Sequence, residues 1–366
     1  MEQKGGGGQL GLSLFGLMLF LLSMPLFLQM GGGRWLLAEV LPGQVSHGSL
    51  SIQRLWSEQG ESEQSTDVAV WGIRDVEYQQ KEENQGNEEG FKAGSQIQMN
   101  GEVLKIAADV LEKMKDFSYL KSNFYTVDSR TALFEGDINV EEALSMDFSI
   151  EPTLKEPKIL IFHTHTHETF SDSNGMEEGV CALGEKLKGI LEKEYGISVL
   201  HDMDVYDEVD GVLQREGAYE RSGPAVEEIL KQYPSIEVCI DMHRDGIPET
   251  MRLVTEINGK TCAKVMFVNG ICRLNKDGQP EPVTWLENNY IKENLAFSLQ
   301  MQTVAGQYYP GLMRKIYLNP YRFILHYMPR STLIEVGAQT NTKQEGLNAM
   351  EPLAKILAEV LLEDTP

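Results

Sequence analysis

The chain has 366 residues, 42% of them hydrophobic, and a formal charge of -23 at pH 7. That length holds one large or two smaller domains. The acidity argues against nucleic acid as a partner, because binding a phosphate backbone takes clustered Lys and Arg.

Residues 10–30 are apolar and carry no charged side chain, close to the roughly 20 residues that span a bilayer. A cleaved secretory signal has a shorter apolar core of about 7–15 residues and a small-residue cleavage site. Here the run is longer, and the one candidate site, near Ala38, is weak. The expectation is an uncleaved transmembrane anchor over 10–30 behind a short tail, 1–9. Lys4 before it and Arg34 after it give little charge asymmetry to orient the span. The tail is too short to be a domain, so the large domain is expected on the extracytoplasmic side of the cell membrane.

From 31 to 96 the chain is rich in Gly, Gln, Glu, Ser and Asn, most strongly between Glu77 and Gly90, and reads as a flexible spacer. Between 97 and 152, Val103, Ile106, Val110, Leu111 and Met114 recur at helical spacing before a strand-like piece at Phe124 to Val127. This is a small accessory region. Four cysteines, Cys181, Cys239, Cys262 and Cys272, are too few for a disulfide framework. Cys262 and Cys272 could pair outside the cell, while Cys239 in the apolar run Val238-Cys-Ile240 reads as a small buried residue.

Beyond Pro152 and Pro157 strand and helix patterns alternate to the end of the chain. This predicts an α/β domain over 153–366, a mostly parallel sheet flanked by helices. Strands are expected at Ile159 to Phe162, Ile197 to Leu200, Ile236 to Ile240, Ala263 to Val268 and Thr332 to Gly337. A helix follows the first strand through Val180, Leu183, Leu187, Ile190 and Leu191. Ser222-Gly-Pro224 has the signature of a second helix start, and Ile291, Leu295, Leu299 and Val304 mark a third. The last helix runs through Leu347, Leu353, Leu357, Val360 and Leu361, and Pro352 within it predicts a kink or a late start.

The chemistry is concentrated at strand ends, where open α/β sheets carry their sites. Ile159-Leu-Ile-Phe162 runs straight into His163-Thr-His-Thr-His-Glu168, which holds three of the seven histidines. In extended backbone His163, His165 and His167 share one face; a chain that turns after His165 instead brings Glu168 beside it. Either arrangement offers imidazole and carboxylate to one cation, the donor set zinc takes in hydrolytic sites. The strand at Ile236 to Ile240 ends likewise in Asp241-Met-His-Arg-Asp245, where Asp241 shares a face with His243 and is placed to orient it. Arg244 is a candidate for a substrate carboxylate, or a neutraliser of Asp245. Glu335 lies inside the apolar run Thr332 to Gly337, where a carboxylate is costly unless paired or catalytic. It is the leading general-base candidate.

Thr164-His165 with Glu168-Thr169-Phe170, Tyr219-Glu-Arg-Ser222, Asp241-Met-His-Arg-Asp245, Phe267-Val-Asn-Gly270, Tyr309-Pro-Gly-Leu312 and Leu333-Ile-Glu-Val-Gly337 with Asn341-Thr342 together resemble the stage II sporulation protein P family, in order and spacing, over about residues 155 to 365. The resemblance implies a fold like that of zinc N-acetylmuramoyl-L-alanine amidases and a membrane-anchored hydrolase of septal peptidoglycan, cutting the muramoyl-L-alanine amide and also peptide cross-links. It implies Zn2+ held by His165, Glu168 and His243, with Glu335 as catalytic carboxylate and His163 and His167 outside the ligand set. It also implies stage II sporulation proteins D and M as partners. Two departures are visible: Thr169 stands where the family has Ser, and Arg322-Phe-Ile-Leu325 where it tends to read Arg-Tyr-Asn-Gln. A metallo-β-lactamase-like cluster, His163-x-His165, and a non-catalytic cell-wall scaffold are the alternatives.

Overall fold

The computed structural model describes residues 26–30, 34–38, 97–99, 102–104 and 108–362. The chain divides into two units, Met1–Ser62 and Glu63–Pro366. In the first, Leu26–Met30 pairs antiparallel with Arg34–Ala38. The rest of the expected anchor, 10–25, lies outside the described residues, as does the expected spacer apart from Arg34–Ala38. Among the described residues no helix is long and apolar enough to cross a membrane.

In the second unit a seven-stranded sheet carries the site. Its strands are β1 (Tyr125–Val127), β2 (Ile159–Phe162), β3 (Val199–His201), β4 (Val238–Asp245), β5 (Val265–Gly270), β6 (Ile316–Asn319) and β7 (Ser331–Ala338). Their order across the sheet is β1-β6-β5-β7-β4-β2-β3. Every neighbouring pair is parallel except β5 with β7. The helices are α1 (Ala108–Lys115), α2 (Phe117–Phe124), α3 (Val140–Ser145), α4 (Val180–Tyr195), α5 (Ala218–Gln232), α6 (Ile291–Tyr308) and α7 (Lys343–Leu361).

Parallel strands are covered on both faces and read as continuous apolar runs; Ile159 to Phe162 is buried at all four positions. Alternation then sorts the side chains. Ile159, Ile161, Val238, Ile240, Met242, Ile334 and Val336 join the core under α4, α6 and α7. Leu160, Phe162 and Cys239 face the other way, against Val226 of α5, Ile236 and Ile324. Each large aliphatic side chain so buried contributes about 1.5–3 kcal/mol.

The sequence pattern separates 97–152 from the domain, and the packing does not. β1 is the edge strand beside β6, and Leu111, Met114, Leu120, Leu144 and Phe148 lie in the same core as the sheet. Phe148 packs on Phe297 of α6 with ring centroids 5.1 Å apart. The helical spacing from Val103 also starts too early: Ile97–Met99 and Glu102–Leu104 form an antiparallel hairpin. The Asn100-Gly101 dipeptide between them is the two-residue hairpin signal.

Three further expectations are corrected. α5 begins at Ala218, behind Gly217, and runs through Pro224; Ser222 lies inside it, its hydroxyl 3.1 Å from Thr164 Oγ1. α7 has no late start, since Thr342 and Glu345 form a reciprocal capping box ahead of it and Pro352 lies well inside the helix. Cys262 and Cys272 do not pair; all four cysteines are free and buried.

Candidate metal centre

The chain turns immediately after β2. Glu168 N–H donates to the His165 carbonyl at 3.2 Å, which brings the Glu168 carboxylate beside His165, the turned arrangement of the two the sequence allows. The extended one is overturned. His163 continues the alternation of Ile159 and Ile161 onto the face opposite His243; its Nδ1 meets the Met242 carbonyl and its Nε2 meets His201 Nε2, both at 2.9 Å. Burial, followed by the neighbouring His201, pushes its pKa down to about 3. His167 is held by Asp207, at 2.8 Å from Nδ1. The paired cluster His163-x-His165 on one cation is therefore not formed.

His165, Glu168 and His243 do converge, all three buried, with one donor atom from each lying within 4.8 Å of the others. His165 Nδ1 is 3.4 Å from Glu168 Oε1, and His243 Nδ1 is 3.3 Å from Oε2. These spacings are long for hydrogen bonds. They set His165 against one oxygen of the Glu168 carboxylate and His243 against the other, a nitrogen and oxygen donor set of the kind zinc takes. His165 Nε2 is buried without a hydrogen-bond partner among the described residues.

Burial opposes charge on Glu168 and on His243. The two still hold each other ionised: beside His243 and His165 the Glu168 carboxyl falls well below its ordinary range, and beside Asp241 and Glu168 the His243 imidazole rises well above its own. The cluster thus favours positive charge between Nδ1 of His243 and Glu168. A cation there takes the place of a proton, which is how metal sites couple to pH. Donor types, spacing and charge all fit a metal ion.

The supports are equally specific. Asp241 Oδ1 lies 2.7 Å from His243 Nε2, close enough for an ion pair but without hydrogen-bond alignment, and Nδ1 is left toward Glu168. Asp241 is fixed in turn by Thr164, whose N–H and hydroxyl donate to it at 2.9 and 2.8 Å. The Tyr219 ring packs edge-on against His165 at a centroid distance of 5.8 Å. Arg221 ties the approaching loop together by donating to the carbonyls of Tyr206, Gln214 and Glu216.

Glu335 is His243's register partner across β4 and β7. It is buried, and its Oε2 has no hydrogen-bond partner among the described residues. Burial first, and then the Asp245 carboxylate, push its pKa well above the carboxylate range. Just past this point the register shifts between His243 and Asp245, an irregularity of the kind found next to functional sites. Gly337, at φ +61, absorbs it; a side chain there would also run into Asn341 Oδ1 at 2.7 Å.

Arg244 is tied to the ligand loop, and its charge also acts on Asp245. Its backbone N–H donates to Glu168 Oε2 at 2.9 Å, its Nε to the Thr169 carbonyl at 2.9 Å, and one terminal nitrogen to the Asp245 carbonyl at 3.2 Å. The Asp245 carboxylate pairs instead with Arg314, at 2.7 Å. Arg314 and Arg215, which reaches Glu168 Oε1 at 3.6 Å, were not singled out by the sequence; both sit in irregular segments with no periodicity to mark them. Arg322-Phe-Ile-Leu325 supplies packing where the family tends to be polar: Ile324 and Leu325 are buried, and Phe323 takes a positive φ of 52°.

Residues 52–358 match the family described as Stage II sporulation protein P (SpoIIP). The chain belongs to that family. Stage II sporulation protein P of Bacillus subtilis (strain 168) is 21% identical over 218 residues, 55% of this chain and 50% of that relative. The chain therefore spans about half the length of the curated relative it matches. Among solved structures it is similar to N-acetylmuramoyl-L-alanine amidase AmiC2 of Nostoc punctiforme, at 12% identity and a TM-score of 0.34 over 56% of this chain and 94% of that one. It is also similar to an N-acetylmuramoyl-L-alanine amidase from Clostridium difficile 630, at 15% identity and a TM-score of 0.33 over 56% and 94%. With likeness at that level, the assignment to the SpoIIP family rests on the sequence match.

Proposed function

We propose that this chain is a zinc-dependent peptidoglycan hydrolase of sporulation that cleaves the amide between the lactyl group of N-acetylmuramic acid and L-alanine. The observation that carries the reading is the convergence of His165, Glu168 and His243 beside the buried carboxylate of Glu335, whose Oε2 has no hydrogen-bond partner among the described residues. His165, Glu168 and His243 would hold the zinc ion. When bound, zinc supplies a Lewis acid that polarises the amide carbonyl and acidifies a water at neutral pH.

The remaining work falls to the chain. Glu335, whose carboxyl is raised above the ordinary range by burial and then by the Asp245 carboxylate, stands beside the ligands as the group to take a proton and return it. It receives the proton from the attacking water and delivers it to the departing amide nitrogen, so the stem peptide leaves with a neutral L-alanyl amine. Asp241, 2.7 Å from His243 Nε2, supports that imidazole through its charge and helps to orient it. Arg244 holds the Thr169 carbonyl and, through its main chain, Glu168, so its contribution is to fix the ligand loop.

The proposal includes a single-pass anchor at 10–30, the catalytic domain on the extracytoplasmic side, and stage II sporulation proteins D and M as partners. The apolar run and family membership support these parts. Metal analysis of the full-length protein, with release of free L-alanine amino groups from purified cell wall, tests the activity. One equivalent of zinc and chelator-sensitive release are expected; metal-free protein that still releases L-alanine would refute it.

A further inference from the structure

Beside the metal centre lies a groove of about 330 Å³ whose lining includes Tyr219, Tyr321, Arg322, Phe323, His326 and Tyr327. It is continuous with the site through Tyr219, whose ring touches both His165 and, at 5.6 Å between centroids, Phe323. Its volume is that of a small-ligand site rather than an extended chain.

Its lining combines aromatic faces with polar side chains. Aromatic rings supply flat apolar faces: His326 and Tyr327 lie 4.2 Å apart between centroids, and Tyr321 is backed on one face by the Arg130 guanidinium at 5.3 Å. Two polar atoms of the lining residues, Arg322 Nε and His326 Nδ1, are also buried with no well-aligned hydrogen bond among the described residues, although Arg322 Nη1 donates to the Glu287 carbonyl at 3.2 Å and the His326 ring lies against the Phe323 backbone. A buried N–H left unpaired costs about 1–3 kcal/mol, so these two atoms call for an explanation, and their place in the groove wall makes a ligand one that can supply it. Burial, followed by the Arg322 charge, lowers the His326 pKa to about 4. The imidazole is then neutral at pH 7, one ring nitrogen accepting and the other donating.

The matching ligand has apolar C–H faces, a polar edge with donors and acceptors, and no net charge, because the lining carries one cation, Arg322, and one anion, Glu220. An anionic stem peptide matches less well, because exposed Glu220 stands in the lining. We infer that this groove holds a neutral N-acetylhexosamine ring of the glycan strand, its C–H faces against the tyrosines and its acetamido or hydroxyl edge on Arg322 and His326. This rests on the proposed peptidoglycan reading and adds a sugar subsite to it. It gives the departure at Phe323 and Ile324 a role: apolar walls for the ring, while Arg322 keeps the polar contact.

The test uses full-length protein stripped of metal, titrated calorimetrically with a β-1,4-linked N-acetylglucosamine trimer and, separately, with a free L-Ala-D-Glu-containing stem peptide. The trimer should bind and the peptide should not. Arg322→Met and Tyr321→Ala should each weaken trimer binding about tenfold or more. Tyr321→Phe, which keeps the ring, should bind like the parent. Should Tyr321→Ala fail to fold, Arg322→Met decides alone. No trimer binding, unchanged affinity in Arg322→Met, or peptide binding that these substitutions abolish would overturn the inference. Hydrolysis of cell wall by metal-loaded parent protein is read separately. Trimer binding without hydrolysis would sink the amidase reading and leave the groove, whereas hydrolysis without trimer binding would do the reverse.

Discussion

His243 and Glu335 are register partners across the parallel seam between β4 and β7. Parallel partners face the same side of a sheet, so one alignment delivers both the second imidazole and the buried carboxylate to the end of β2, where His165 and Glu168 arrive on a turn. A one-residue slip would send every side chain of a strand to the opposite face. The apolar positions prevent it: Met242 and Ile334, partners one step earlier, are fully buried under the helices of the other layer.

Because Glu335 stands beside the ligands without being one of the three that converge, its loss should separate metal binding from turnover. Glu335→Gln keeps the shape and removes the charge. Zinc content should stay at the parent level while L-alanine release falls about 10²–10⁴-fold, both measured on one preparation. Lost zinc would make Glu335 a ligand; retained zinc with normal turnover would end its role as a base.

Asp241 acts through His243, so its effect should be graded. Asp241→Asn leaves an acceptor oxygen near Nε2 but removes the carboxylate that Thr164 binds through two donors. Metal affinity should drop about 10–100-fold, measured by competition with a chromophoric chelator, while His243→Ala should abolish stoichiometric binding. Equal affinity in Asp241→Asn and parent would remove Asp241 from the site's support.

The strand-end motifs made the site legible because their information is local. His165 and Glu168 are three residues apart on one turn, and Asp241 and His243 alternate along one strand. Glu335 was legible for a different reason, since a carboxylate in an apolar run has to be explained. The antiparallel pairing of β5 with β7 was not, because nothing in an apolar run reports the direction of its neighbour. Nor was β6, a four-residue strand at Ile316–Asn319 between irregular segments. Pro224 misled because the proline rule describes typical helix starts, and here the helix begins at Ala218, behind Gly217. His163 and His167 look equivalent to His165 in sequence; only the turn after the strand and the alternation before it send the three rings to different partners.

The Tyr321–Phe323 loop that walls the groove depends on a glycine in β5. A Cβ at Gly270 would lie 2.1 Å from the Tyr321 carbonyl oxygen and 3.0 Å from that of Arg322, and backbone yields less readily than a flexible side chain. Gly270→Ala should destabilise the fold by about 1–3 kcal/mol, read as a lower denaturant midpoint, whereas Gly189→Ala, with nothing within 4 Å, should not. An unchanged midpoint for Gly270→Ala would mean that the loop moves freely away from β5.

The segment before residue 153 should contribute to the stability of the sheet, and Asp128 is where pH can read it. Asp128 is buried and accepts hydrogen bonds from Arg130 N–H and Nε at 2.9 Å, from an Arg130 terminal nitrogen at 2.8 Å, and from the Tyr317 hydroxyl of β6 at 2.8 Å. Burial pushes its pKa up, but the bonds from Arg130 and then Tyr317 outweigh it, and the net shift is downward from the ordinary 3.8. A carboxyl depressed in the folded state contributes stability that is fully present above its unfolded pKa and is lost as pH falls through that value toward the folded one. Near neutrality Asp128→Asn should therefore be less stable than the parent, since Arg130 then faces a neutral amide in a buried position. Below about pH 4 the difference should shrink, because the parent's own carboxylate is being protonated there. Urea midpoints of both proteins, measured from pH 7 down to 3, check this. A gap that stays constant across that range would show that Asp128 supports the sheet through packing alone and not through its charge.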